Sequence, residues 1–255
     1  ITMTMDFLIC AVVGLLLGHV LDLYFLRFYT SEAISGPPFR CPECRSKLRP
    51  RFYLPLVGYY MSLAKCPDCE RKLPARALIL PLGAAALFGA ASLVFDSLGA
   101  GLLGGFFATV FLTLTLTDVD RHLLPNRIIF PAMLAAIALS WGWPDNSVLA
   151  IIAGGIVAII ISFLLILLSI PFGGAKAFGM GDVKMIILIG FVVGLPSVIV
   201  GIMIGTLVAA AFALIAIITR AKSRTDYIPH GPFLAIGAVV ALFWGPAIWA
   251  AYTGG

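Results

Sequence analysis

The stretch VLAIIAGGIVAIIISFLLILLSI, residues 148–170, indicates the fold class, because its 23 residues include no charged side chain. A helix of this length rises about 35 Å, which is enough to cross the roughly 30 Å hydrocarbon core of a bilayer. Of the 255 residues in the chain, 61% are hydrophobic and only 11% are charged. These values exclude a water-soluble enzyme and a disordered chain. They predict an all-α polytopic membrane protein.

Seven further apolar segments lie along the chain, separated by charges, prolines and glycines. The eight predicted transmembrane helices are residues 7–28, 75–94, 98–117, 128–143, 148–170, 185–194, 198–219 and 233–252. Residues 185–194 are too few to cross a bilayer, so the glycine-rich stretch 171–184 is expected to dip into the membrane. The predicted domains are a first helix at 1–28, a cytoplasmic module at 29–74 and a seven-helix membrane core at 75–255.

The basic residues predict the orientation of the chain in the membrane. All 17 Lys and Arg residues lie in four loops on one side or at the helix ends beside them, namely the loops 29–74, 118–127, 171–184 and 220–232. The opposite side holds Asp96 and Asp145 and no basic residue. By the positive-inside rule, these four loops face the cytoplasm and both termini lie outside. Because topology explains the net charge of +5, no nucleic-acid partner is expected.

The first cytoplasmic loop contains four of the five cysteines, arranged as CPEC, 21 intervening residues and CPDC. Two CxxC turns present four thiolates to one ion, which is the tetrahedral arrangement typical of structural zinc. Cys41, Cys44, Cys66 and Cys69 are therefore predicted to bind one zinc ion. The alternatives are two disulfides or four unrelated thiols, which a reducing cytoplasm disfavours, and a redox CxxC motif, which the doubling of the motif disfavours.

Three carboxylates lie at helix ends: Asp118 and Asp120 in TDVDRHLLPNR, and Asp182 in GMGDVK. A carboxylate near hydrocarbon is costly and is therefore a candidate functional group. Two facing carboxylates can share one proton and activate a water, as in aspartic proteases, but such groups also carry ions in transporters or cap helices. Asp118 and Asp120 point about 200° apart on a helix, so only one of them can face Asp182. The glycines Gly179 and Gly181 allow close approach of a substrate backbone.

The remaining candidate residues give weaker signals. His19, His122 and His230 show no spacing typical of a metalloprotease or a Ser-His triad. His19 and Asp22 are three residues apart and can share one face of the first helix. Cys10 in that helix is expected to be a small buried apolar side chain.

Taken in order, these motifs resemble those of the prepilin peptidase family, the GxGD-type membrane aspartic proteases. CPEC and CPDC match the family's zinc module, and RPRFYLPLVGYYMSLAKC at 49–66 resembles its linker. DVDRHLLPN resembles the first catalytic motif, in which an Asp precedes a Pro by seven residues, and this spacing favours Asp118. GMGDVK resembles the GxGD motif with its following lysine, Lys184. PHGPF at 229–233 resembles a PFGPF element, with His230 in place of Phe. The resemblance covers nearly the whole chain.

The resemblance implies an endopeptidase with Asp118 and Asp182 as the catalytic pair and Gly179, Gly181 and Lys184 in the active-site loop. Its implied substrates are type IV prepilins or pseudopilins in the bacterial inner membrane, cut at the cytoplasmic face just after a Gly. It also implies N-methylation of the new terminus with S-adenosylmethionine.

Two departures from the family pattern concern the methylation. GHVLD at 18–22 stands where members typically have GSFLN. RALILP at 76–81 stands where members usually have RYPLVE, so Pro81 replaces an acidic residue. The methyltransferase activity is therefore a weaker expectation than the peptidase.

Two other classes of protein compete with the peptidase. An ion- or proton-coupled transporter with a zinc-ribbon regulatory loop would favour internal repeats and charges near the middle of the bilayer. The sequence shows no convincing repeat, and its charges lie at helix ends. A membrane-anchored zinc module that acts as an assembly scaffold would not need the carboxylates at all.

Overall fold

A computed structural model describes residues 2–30, 44, 46, 65–66, 68–70, 76–143, 147–170, 179–220 and 229–254. Within these residues the chain forms eight α-helices and one short 3-10 helix, Ser140–Gly142. The α-helices are α1 (Thr2–Thr30), α2 (Arg76–Val94), α3 (Leu98–Arg121), α4 (Asn126–Ala138), α5 (Val148–Ser169), α6 (Met180–Val193), α7 (Ser197–Ile218) and α8 (Gly231–Thr253). The predicted all-α polytopic fold is confirmed.

Each observed helix corresponds to one predicted segment, but two of the helices are short. Six described helices are long and apolar enough to span a membrane, whereas α4 has 13 residues and α6 has 14. Helix α6 begins at Met180, five residues before its predicted start, so the irregular stretch expected at 171–184 is helical from that residue onward. Residues 171–178 lie outside the described part of the chain.

The chain divides into two compact units, Ile1–Thr109 and Val110–Gly255, and α3 runs from the first into the second. In the first unit α1 packs closely on α2 through small residues. A Cβ atom on Gly14 would lie 2.6 Å from the carbonyl oxygen of Ala84, so this contact requires glycine. Small residues at helix contacts are the usual means of close packing in membranes. The domain boundaries at 28 and 74 stay a prediction.

In the second unit, α6 packs against α4, α5, α7 and α8. Eight of its 14 residues are buried, although the helix is short. A tight turn follows α6: Gly194 has φ +66°, and the N–H of Leu195 donates to the carbonyl oxygen of Ala150 at 2.9 Å. Only glycine adopts such a φ without strain. Helix α6 is therefore held at the centre of this unit, and Asp182 lies in its first turn.

Helices in the second unit expose large apolar side chains that a water-soluble fold would bury. On α5, Leu149 is 77% exposed and Leu168 is 68% exposed, while on α7 Ile218 is 70% exposed. Surfaces of this composition face hydrocarbon in membrane proteins. Helix α3 differs, because more than half of its residues are buried, and this helix carries Asp118.

Candidate active site

Asp118 lies in the last turn of α3 and is buried, with 4% of its surface exposed. The helix ends because His122 adopts φ 54°, and its N–H donates to the carbonyl oxygen of Asp118 at 2.8 Å. This is a left-handed helix cap. Asp120 is exposed, as is Val119. The two carboxylates of DVD therefore face different environments, as their 200° separation predicts.

The start of α8 contacts Asp118 through the main chain. The backbone N–H of Gly231 donates to Oδ2 of Asp118 at 3.0 Å. The first N–H groups of a helix have no partner within it and carry its positive dipole end, so they suit an anion. A Cβ atom on residue 231 would lie 2.5 Å from that oxygen, so the contact requires glycine. No role was predicted for Gly231 from its residue type, although it lies within PHGPF, the element that resembles PFGPF.

Asp182 occupies the first turn of α6 and is half-buried. The residue that caps this helix is Gly179, not Asp182: the backbone N–H of Asp182 donates to the carbonyl oxygen of Gly179 at 3.0 Å. A backbone hydrogen bond from Gly179 also reaches the Asp182 carboxyl. The carboxylate therefore lies at the positive end of its own helix.

Asp118 and Asp182 lie on different helices, and their carboxyls interact electrostatically. The charges of His230 and Asp118 both act on the carboxyl of Asp182. His230 precedes Gly231 at the start of α8, and its charge also acts on Asp118. Helices α3, α6 and α8 thus contribute three titratable side chains to one cluster.

A second set of contacts joins the start of α6 to the turn between α3 and α4. Lys184 donates from Nζ to Oδ1 of Asn126 at 2.9 Å. A Cβ atom on Gly181 would lie 3.2 Å from Cδ1 of Leu124, which is closer than an ordinary contact. These contacts fix the turn that carries Asp182 against the turn that follows Asp118. Asn126 was not singled out from the sequence, although it follows the Pro of the first motif directly.

The two glycines of GMGD differ in their surroundings. Gly179 has ordinary extended backbone angles, φ −76° and ψ 146°, and is exposed. A Cβ atom there would lie 3.5 Å from Oδ2 of Asp182, an ordinary contact distance. Gly181 therefore has a packing reason to lack a side chain, whereas Gly179 has none within the described residues.

The polar residues of α1 lie in the first unit. His19 and Asp22 are both buried, as expected for residues that share the inward face of a helix. Cys10 is fully buried, as predicted.

Three of the four loop cysteines form a cluster. The sulfurs of Cys44, Cys66 and Cys69 all lie within 4.8 Å of one another, and none of the three forms a disulfide. The Sγ atoms of Cys44 and Cys66 are 3.8 Å apart. Two thiolates on one tetrahedral zinc ion, each about 2.3 Å from the metal, would be separated by about 3.8 Å. The cluster thus fits a metal ion, and Cys41 lies outside the described residues.

Hydrogen bonds around Cys66 favour its thiolate form. Burial acts to raise the pKa of this thiol, but hydrogen bonds from the backbone of Asp68 and Cys69 and from the Ser46 side chain together hold the pKa below its ordinary value. Ser46 also lies 3.0 Å from the sulfur of Cys44. A metal ligand must be deprotonated, so this environment suits binding.

Comparison with known proteins covers both units. Residues 105–214 match the type IV leader peptidase family, and residues 12–95 match the bacterial peptidase A24 N-terminal domain. The first match contains Asp118, Asp182, Lys184 and Asn126, and the second contains the four loop cysteines. No solved structure matches the chain.

Curated relatives are similar over most of their length. A prepilin leader peptidase/N-methyltransferase of Bacillus subtilis is 27% identical, and the alignment covers 92% of this chain and 93% of the relative. Proteins with the same description from Pseudomonas aeruginosa and Stutzerimonas stutzeri are 29% and 27% identical. Those alignments cover 85% and 96% of this chain, and 74% and 93% of the relatives.

Proposed function

Because the chain belongs to the type IV leader peptidase family, we propose that it is a membrane aspartic endopeptidase that removes the leader of type IV prepilins or pseudopilins. Asp118 and Asp182 are the proposed catalytic pair. Gly179, Gly181 and Lys184 are the proposed active-site loop. The transporter alternative is not favoured, because the curated relatives are described as peptidases.

The proposal is supported by the placement of the two carboxyls: the N–H of Gly231 in α8 donates to Asp118, α8 packs against α6, which carries Asp182, and the charge of Asp118 acts on Asp182. Two carboxyls so placed ionise one at a time, so the pair can hold one proton and one negative charge. That state contains both a base and an acid. It is the arrangement that aspartic proteases use to activate water.

The reaction follows from this state. The ionised carboxyl accepts a proton from water, and the water oxygen forms a bond to the scissile carbonyl carbon. The protonated carboxyl donates to the carbonyl oxygen and stabilises the charge that develops there. When the C–N bond breaks, the leaving nitrogen takes the proton that the first carboxyl accepted from water and becomes an amine, and as the C=O bond re-forms its oxygen returns the donated proton to the second carboxyl. The pair returns to its state with one proton.

The position of the pair suits a membrane-embedded substrate. Asp118 lies in the last turn of α3 and Asp182 in the first turn of α6, so both are at helix ends. A pilin precursor with its apolar helix in the bilayer presents its leader junction at the same level. We place this level at the cytoplasmic face of the inner membrane, because the loops on that side carry the basic residues.

The orientation can be tested by cysteine labelling. A cysteine introduced at Asn146 should react with an impermeant thiol reagent in intact cells, and one introduced at Ser223 should not. The reverse pattern would contradict the orientation without affecting the peptidase.

We further propose that Cys41, Cys44, Cys66 and Cys69 bind one structural zinc ion. The 3.8 Å separation of two of these sulfurs supports this site. Four thiolates leave no open position on a tetrahedral ion, so the zinc would stabilise the 29–74 module and take no part in the cleavage.

N-methylation with S-adenosylmethionine is the second proposed activity. Its support is the description of the curated relatives as N-methyltransferases. Pro81, which lies inside α2 where the family usually has an acidic residue, weakens this proposal relative to the peptidase.

The experiment that tests the peptidase is incubation of the purified protein with a prepilin, followed by mass spectrometry. Loss of the leader by the wild-type protein, and not by Asp118→Asn or Asp182→Asn, is the expected result. A further increase by the mass of one methyl group, dependent on added S-adenosylmethionine, would establish the methylation. Intact prepilin after incubation with the wild-type protein would contradict the proposal.

A further inference from the structure

Ser46 lies beside the cysteine cluster, although four thiolates already complete the proposed metal site without it. Its hydroxyl oxygen lies 3.0 Å from the sulfur of Cys44 and 3.8 Å from the sulfur of Cys66. Those two sulfurs are themselves 3.8 Å apart, so the hydroxyl lies next to the edge that they form. Hydrogen-bonding groups next to metal ligands orient the ligands and change metal affinity. Ser46 is therefore placed to act on the metal site through its ligands.

The metal determines the direction of the hydrogen bond between Ser46 and Cys44. Either atom can donate when the cysteine is a thiol. A cysteine bound to zinc is a thiolate and has no hydrogen to donate. The hydroxyl of Ser46 is then the donor, and the sulfur of Cys44 is the acceptor. Hydrogen bonds to a charged acceptor are about twice as strong as neutral ones. This bond therefore stabilises negative charge on one sulfur of a site that has an excess of it.

The three described cysteines of the cluster differ in their exposure to solvent. Cys66 is 1% exposed, Cys69 is half-buried and Cys44 is exposed. The thiolate is the reactive form of cysteine, and its susceptibility to modification follows its exposure. Among these three ligands, Cys44 is therefore the one that a reagent in solution reaches first. It is also the ligand that Ser46 contacts most closely.

We propose that Ser46 protects the metal site at its exposed ligand: its hydroxyl donates to the thiolate of Cys44, which holds this sulfur on the zinc and slows its reaction with electrophiles. This inference rests on the zinc site proposed above. In the reaction that Ser46 opposes, the sulfur forms a bond to an electrophilic carbon and its bond to zinc breaks. With a maleimide as the electrophile, the neighbouring alkene carbon takes a proton from water. A sulfur that accepts a hydrogen bond has its electrons less available for this attack.

The test measures zinc release from the purified full-length protein during treatment with N-ethylmaleimide. It compares the wild-type protein with Ser46→Ala and Ser46→Thr. Ser46→Ala should release zinc about 3- to 10-fold faster, as expected for the loss of one hydrogen bond. Its zinc affinity, measured by competition with a chelator, should be about 10-fold lower, as is typical when a partner of a metal ligand is removed. Ser46→Thr retains the hydroxyl and should behave like the wild-type protein.

The matched control is Ser147→Ala, which removes a hydroxyl from the N-cap of α5, outside the cluster. It should leave both the release rate and the zinc affinity unchanged. Peptide mass spectrometry at partial release identifies the modified cysteine. Cys44 should carry the maleimide before Cys66 and Cys69, both in the wild-type protein and in Ser46→Ala, because its exposure does not depend on the hydroxyl.

Several results would overturn the inference. Equal release rates and equal affinities in Ser46→Ala and the wild-type protein would show that the hydrogen bond has no effect on the metal. A Ser46→Thr protein as labile as Ser46→Ala would show that the size of the side chain matters and its hydroxyl does not. Modification of Cys66 before Cys44 would contradict the assignment of the exposed ligand.

Two further outcomes concern the metal content itself. If Ser46→Ala is purified without zinc while Ser46→Thr retains it, the hydroxyl is needed even to hold the metal, and the inference is supported. A wild-type protein that contains no zinc after incubation with the metal would refute the proposed zinc site, and this inference with it. Full zinc content with equal release rates would refute the role of Ser46 alone, so the two failures are distinguishable.

Discussion

The cysteine cluster and the carboxylate pair are assembled in opposite ways. Within the described residues, Cys66 and Cys69 belong to one short turn, and Cys44 meets them from a second turn. Asp118 and Asp182 come from two helices, and a third helix supplies the N–H that holds Asp118. A site built from local turns is encoded by residue spacing. A site built from helix ends depends on packing between distant segments, and substitutions should affect the two sites differently.

The largest effect is expected at the carboxylates. Asp118→Asn or Asp182→Asn should each lower the rate of leader cleavage by more than about 1,000-fold, because the two carboxyls act as a unit. The double variant should be no worse than either single one. Mass spectrometry of a cleaved prepilin measures the loss, with zinc content and protein level unchanged.

The matched control for that prediction is Asp120→Asn, which should keep most of the activity because this side chain is exposed. An inactive Asp120→Asn protein beside an active Asp118→Asn protein would show that the other carboxyl of DVD is catalytic.

A substitution in the cysteine cluster should disrupt the metal site and leave the membrane helices folded. Cys66→Ser is expected to abolish zinc binding, since structural zinc contributes roughly 10 kcal/mol or more to the folding of small zinc modules. The helical content of the membrane segments should remain. Metal analysis and circular dichroism measure the two quantities.

Cys10→Ala is the control for the metal, because this buried cysteine lies outside the cluster and its loss should leave the zinc in place. A Cys66→Ser protein that retains a full equivalent of zinc would contradict the assignment.

The next largest effect is expected at the contact between α8 and α3. Gly231→Ala should lower cleavage by about 100-fold, because its Cβ would displace the Asp118 carboxyl and small misplacements at a reacting site have effects of this size. Gly179→Ala is the comparison, and it should be milder because its Cβ meets only an ordinary contact. Equal losses in the two variants would show that the Gly231 contact has no special importance.

The smallest effect is expected at the bond between Asn126 and Lys184. Asn126→Ala should lower cleavage by about 3- to 10-fold, because it removes one exposed hydrogen bond that involves a charge. Asn126→Asp retains an acceptor oxygen for Lys184 and should restore most of the rate. Loss of activity in Asn126→Asp equal to that in Asn126→Ala would indicate that this bond does not position α6.

The sequence predicted the helices better than it predicted the surroundings of the candidate carboxylates. Residues 148–170 and the other apolar segments predict the helices because hydrocarbon requires long apolar stretches. The early start of α6 was missed because glycines such as Gly179 and Gly181 are typical of irregular backbone. In the structure Gly181 is helical and packs against Leu124. Gly231 was missed because a backbone N–H donor leaves no residue-type pattern.

The contact between Gly231 and Asp118 also has a consequence for mutational scanning. A hydrogen bond donated by the main chain does not depend on the polarity or charge of the side chain at that residue. It is sensitive to the size of that side chain. A complete set of substitutions at residue 231 should therefore show uniform intolerance, from alanine to the charged residues, whereas position 126 should discriminate between side chains with and without an acceptor. The pattern of tolerated residues would then identify which partners of the carboxylate pair act through their backbone and which through their side chains.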